Sequence, residues 1–68
     1  MKIRFIKTVL VEVEKYRLQE VWDKMYSRWD ELNVDTITYR GDKAIIGTQE
    51  GDTLLDVPAE SFEITERK

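Results

Sequence analysis

Between Ile3 and Val13 the odd positions run Ile3, Phe5, Lys7, Val9, Val11 and Val13, while the even ones include Lys2, Arg4, Thr8, Glu12 and Glu14. A period of two, rich in β-branched side chains, predicts a strand with one buried face. Ile6 and Leu10 interrupt the polar face and imply that part of it is covered as well. Beyond Asn33 the pattern predicts a meander: strands at Val34–Tyr39, Ala44–Thr48 and Thr53–Val57, joined by turns at Arg40-Gly41-Asp42 and Glu50-Gly51-Asp52. Pro58 cannot donate to a ladder and is expected to end the third of these strands. Ala59-Glu60-Ser61 then reads as one helical turn, Phe62 and Ile64 as a short last strand, and residues 65–68 as a frayed tail.

Residues 14–32 admit two readings. Leu18, Val21, Trp22, Met25, Trp29 and Leu32 recur at helical spacing with no Gly or Pro among them, which describes one helix over about residues 15–32 packed on a four-stranded antiparallel sheet, an α+β fold. The stretch from Trp22 to Val34 also alternates, and Asp30-Glu31 stands just before the apolar pair Leu32 and Val34, where a sheet could begin.

The run YSRWDELNV, Tyr26 to Val34, followed by two glycine turns and by VPAESFEI, Val57 to Ile64, resembles the layout of a Src-homology-3-like (SH3-like) barrel. Tyr26, Asp30, Leu32 and Val34 match the pattern that opens the family's second strand. Val57, Pro58, Phe62 and Ile64 match its aliphatic-proline turn, helical turn and closing strand. The resemblance implies a mainly β, five-stranded small barrel in which Val9–Val13 is the first barrel strand and residues 14–25 form the long hairpin loop after it. That is the expected fold, ahead of the α+β alternative. The family's proline-peptide groove is lined by aromatic residues, whereas this chain has Val11 and Val13 on the first strand, no tryptophan in KAIIGT, Ser61 near the final-turn site, and Trp29 where a glycine usually precedes Asp30. Polyproline helices dock by stacking on such rings, so the resemblance implies the fold without the peptide-binding activity.

Composition narrows the chemistry. Hydrophobic residues are 41% and charged residues 37% of 68, a balance that suits one folded soluble domain, residues 1–68 with its core in 1–64. Cysteine and histidine are both absent, which removes disulfides, thiolate and imidazole metal ligands, and the commonest catalytic base and nucleophile. Charges interrupt the apolar pairs at the start of the chain, and no window reaches the ~20 apolar residues of a membrane span, so a cytoplasmic setting is expected. Glu12 and Glu14 share a strand face and Asp52 and Asp56 frame the last hairpin, but neither pair stands in a motif. No catalytic residue, metal site or cofactor is therefore expected, and Arg40-Gly41-Asp42 is read as a turn.

The aromatic residues are the informative set. Phe5, Trp29, Tyr39 and Phe62 are expected to fill the core, and Tyr16 and Trp22, on the long hairpin, to form a contact surface with Lys15, Arg17 and Lys24 as its polar rim. The function this implies is a small noncatalytic binding module whose partner is another protein or a second copy, contacted through Tyr16, Arg17, Trp22 and Lys24; no membrane and no small-molecule substrate is implied. A net charge of -3 argues against nucleic acid as the partner, although Lys2, Arg4 and Lys7 beside aromatic residues are of the right type for it. The alternative is an acidic inhibitor that imitates a nucleic acid, of the kind a phage or mobile element encodes. It would use Asp42, Glu50, Asp52, Asp56, Glu60, Glu63 and Glu66, opposed only by Lys43, Arg67 and Lys68.

Overall fold

The computed structural model describes residues 1–15 and 20–67. Seven strands form one antiparallel sheet: β1 (Lys2–Phe5), β2 (Val9–Lys15), β3 (Glu20–Tyr26), β4 (Glu31–Arg40), β5 (Lys43–Thr48), β6 (Asp52–Pro58) and β7 (Phe62–Glu66), with a 3₁₀ turn at Ala59–Ser61 before the last. Their order across the sheet is β3-β2-β6-β5-β4-β1-β7. Period-two burial is clearest on β1, β2 and β5, and on the first two it follows the alternation of the sequence.

One face of the sheet wraps a single core of Ile3, Phe5, Val11, Val13, Tyr26, Val34, Ala44, Ile46, Leu54, Val57 and Phe62. The sheet curls strongly enough that Phe5 on β1 and Tyr26 on β3, far apart in strand order, stack with ring centroids 4.7 Å apart and planes 12° from parallel. Bulges supply part of that curl. The β4–β5 register slips between Val34 and Thr36, and the β5–β6 register slips between Ala44 and Ile46, where Asp56 takes a positive φ of 51°. An extra residue on one strand of a pair bends it and increases its twist. Gly41 and Gly51, at φ 64° and 94°, make the two tight turns in a conformation that side chains disfavour.

Three expectations need correction. The five-stranded Src-homology-3-like barrel is not what forms, because the sheet has seven strands and does not close. Ile3–Val13 is not one strand: the chain bends at Ile6-Lys7-Thr8, so that β1 pairs with β4 and β7 while β2 pairs with β3 and β6. The α+β alternative fails as well, since Glu20–Tyr26 and Glu31–Arg40 are strands. Helical spacing there is coincidental, and cross-strand pairing overrides it: residues 9–15 offer β3 a ladder of seven register pairs, from Val9 with Tyr26 to Lys15 with Glu20. At the end of the chain β7 reaches Glu66, and Thr65 Oγ1 donates to the Lys2 carbonyl at 3.3 Å. No helix among the described residues is long and apolar enough to cross a membrane.

Candidate functional site

Alternation assigns each residue of the β2–β3 ribbon to a face. Val9, Val11, Val13 and Lys15 of β2 face Tyr26, Lys24, Trp22 and Glu20 of β3 on the core side, and Leu10, Glu12 and Glu14 face Met25, Asp23 and Val21 on the other. On β2 the core side is sealed by Val11 and Val13. On β3 the burial ends at Tyr26, and all six residues from Glu20 to Met25 are exposed. The reason is position, for β3 is the outermost strand and reaches past the core that covers β2.

The result is an apolar surface on both sides of an edge strand. Leu10 and Met25 lie opposite each other and are each 61% exposed, Val21 is 50% exposed, and Trp22, beside Val13 on the other face, is 37% exposed. Leu10 is thus uncovered, contrary to the expectation for its strand. Lys15 Nζ lies 5.7 Å from the centre of the Trp22 ring, and the same ammonium lies 3.5 Å from Asp52 Oδ1, whose carboxylate is mostly buried. That oxygen has no hydrogen-bond partner among the described residues, and the Lys15 charge offsets its burial. Lys24 Nζ stands 5.1 Å from the Tyr26 ring centre. Of the four residues expected to carry the contact surface, the structure thus places Trp22 and Lys24 two apart on one face of β3, whereas Tyr16 and Arg17 lie outside the described residues.

Tyr26 anchors the ribbon. Its phenol is pushed above the ordinary tyrosine value, first by burial and then by the carboxylates of Asp52, Glu50 and Asp30. The unfolded chain therefore releases this proton at a lower pH than the folded one does. The resulting stabilisation is complete below the unfolded value of about 10 and is lost as the pH rises through the higher folded value. Thermal melts are expected to fall in midpoint above about pH 10 in the native protein. In Tyr26→Phe the part of that fall due to this group should be gone; an identical alkaline drop in the variant would show that the phenol is not its source.

A second aromatic feature was missed by reading the chain. Trp29 and Tyr39, expected in the core, are 54% and 55% exposed, and Tyr26 takes the core position instead. Trp29 sits in a tight turn at φ 78°, a left-handed conformation uncommon outside glycine. The turn is held from several sides: Trp29 N donates to the Phe5 carbonyl at 2.6 Å, Phe5 N to the Asp30 carbonyl at 2.9 Å, and Ser27 N to Asp30 Oδ2 at 2.7 Å. The guanidinium carbons of Arg28 and Arg4 stand 4.5 and 5.2 Å from its ring centre, and Arg4 also pairs with Glu63. The signal was present in the sequence, where an Arg-Trp-Asp run inside a polar turn marks a tryptophan held outside. Phe5 and Phe62 are core as expected.

Elsewhere the surface has open depressions. One of about 370 Å³ is lined by Met1, Val34, Asp35, Gln49 and Arg67, and another of about 350 Å³ by Asp42, Lys43, Pro58, Ala59 and Glu60. Glu12 and Glu14 are exposed on one face, as expected, and no cluster of three or more carboxylates among the described residues is arranged to hold a metal ion. Comparison with protein-family models, with curated proteins and with solved structures finds no match.

Proposed function

We propose that the chain is a small noncatalytic interaction module that meets another protein through the β2–β3 ribbon. The observation that carries this reading is the run of six exposed residues on the edge strand β3, with Val21, Trp22 and Met25 among them and Leu10 alongside. Exposed apolar side chains grouped on an edge strand suit a contact with another protein, and the strand edge adds main-chain donors and acceptors that a partner strand can use. Trp22 and Met25 project from opposite faces, so an added strand would be gripped on both sides. Lys24 rims the same ribbon. A chain with no cysteine suits a reducing, cytoplasmic setting.

The test places a photo-crosslinking amino acid at position 22 or 25, with position 38, an exposed site on β4, as the control. Adducts are expected from 22 and 25 and not from 38, and they should be lost in a folded Leu10→Ser variant read from position 25. Adducts of equal yield from all three positions, or from none, would remove the ribbon as the contact surface. Leu10→Ser itself should change stability by no more than about 1 kcal/mol, because the side chain is already mostly in water.

A further inference from the structure

We infer that the partner of β3 is a second copy of this chain, joined by antiparallel β3–β3 pairing about a twofold axis at Trp22. This rests on the reading of the ribbon as a contact surface and goes further by naming the occupant. Among the described residues, no strand pairs with the outer edge of β3. What selects a second copy is the charge pattern of the strand itself. Glu20, Trp22 and Lys24 share one face, with the acid two residues before the tryptophan and the base two residues after it.

In a twofold antiparallel pair, residues opposite one another point to the same face, and their positions sum to a constant. With the axis at Trp22, Glu20 of each copy faces Lys24 of the other, the two Trp22 rings meet at the centre, and Val21 faces Asp23. Two ion pairs thus flank an aromatic pair, a combination favoured across strands. Neighbouring registers are worse. An axis at Asp23 sets that carboxylate against its own copy, and an axis at Lys24 does the same with two ammonium groups. An axis at Val21 sets Glu20 against Trp22 and forfeits the ion pair. The other edge of the sheet has no such symmetry, because β7 carries Glu63 and Glu66 and no basic residue. Acids on an edge strand without matching bases guard it against pairing.

Joining the two edges makes one continuous sheet of fourteen strands in the dimer, from seven in each copy. The contact is a single strand pair, which belongs to the small, reversible class of interface below about 1,200 Å². Association is therefore concentration-dependent and weakened by salt, since the ion pairs lie at the surface.

Sedimentation equilibrium across a wide concentration range decides the matter with four proteins: the native chain, Glu20→Lys, Lys24→Glu, and the double exchange. The native chain is expected to dimerise. Each single exchange turns two attractive pairs into two repulsive ones and should weaken dimerisation about tenfold or more. The double exchange should recover most of it, since the opposite charges again face each other across the axis. Within each hairpin Lys15 faces position 20, so Glu20→Lys opposes like charges there in the single and double variants alike. Recovery thus reports the contact between copies and not the hairpin. Circular dichroism melts of all four confirm that they are folded.

A native chain that stays monomeric at every concentration overturns the homodimer, as does a dimer whose strength ignores the single exchanges or is not recovered in the double one. Those failures are distinct from failure of the contact surface, which the crosslinks at 22 and 25 test with any protein partner.

Discussion

Phe5→Ala is expected to be among the most destabilising single substitutions in this chain. The Phe5 ring is completely buried, stacked 4.7 Å from Tyr26 and set edge-on 6.5 Å from Phe62. Removing such a ring costs about 3–5 kcal/mol through lost transfer energy and the cavity left behind, with the aromatic contacts worth about 0.5–1.5 kcal/mol of pairing beyond area. A domain of this length has a total stability of roughly 3–10 kcal/mol at the usual range per residue. The deficit therefore takes up between about a third and all of what is available. For a domain of this size it lowers the thermal midpoint by at least about 12 °C. A drop of under about 5 °C would mean that the ring is not the junction between β1 and β3. Such a result would also undo the curl of the sheet, because the Phe5–Tyr26 stack joins strands from distant places in the order.

Gly47→Val should destabilise by about 1–3 kcal/mol, and Thr36→Ala in the same chain should restore most of the loss. Gly47 lies opposite Thr36 in the β4–β5 pair, and a Cβ at Gly47 would stand only 2.6 Å from Thr36 Oγ1. Thr36 is β-branched and stiff at χ1, so moving the hydroxyl requires a different rotamer or a shifted strand. Its Cβ is 3.9 Å away, an ordinary contact, which is why truncation to alanine relieves the clash. The measurement is a double-mutant cycle by chemical denaturation. If the two losses simply add, the close approach of β4 to β5 at this pair is wrong. Both residues sit beside the bulge at Asp35, where a tight fit between strands helps to set the local bend.

Both predictions concern the turning of the sheet, and the turning is what leaves the edge strand β3 outside the core. The exposed apolar ribbon is thus a by-product of core geometry. Among the described residues eleven buried apolar side chains form the core, and β3 contributes only Tyr26 to them. Among the described residues its other apolar side chains, Val21, Trp22 and Met25, stay exposed.

The amino-acid sequence alone determined the elements that local physics controls. Alternation marked the face of β1 and β2 that is buried, and Gly41 and Gly51 marked turns because they stand where φ must be positive. Ala59–Ser61 formed its single helical turn where the residues after Pro58 suggested it, and Phe62 opened the last strand. Trp22 was legible as an exposed ring on a hairpin, although the hairpin proved to be a regular ribbon and not an irregular loop.

Tertiary structure decided what depends on partners distant in the chain. Residues 20–32 carry both a helical and a strand pattern, and only the presence of β2 as a ladder partner selects between them. The break at Ile6-Lys7-Thr8 has no strong local signal, because it exists to send β1 to β4 and β7 while β2 goes to β3 and β6. The exchange of Tyr26 for Trp29 and Tyr39 in the core has the same origin. Any of these rings is apolar enough to be buried, and strand order and the hydrogen-bonded turn at Ser27–Asp30 settle which one points inward. Hydrophobicity is a property of a residue, whereas burial depends on what the rest of the chain brings to its side.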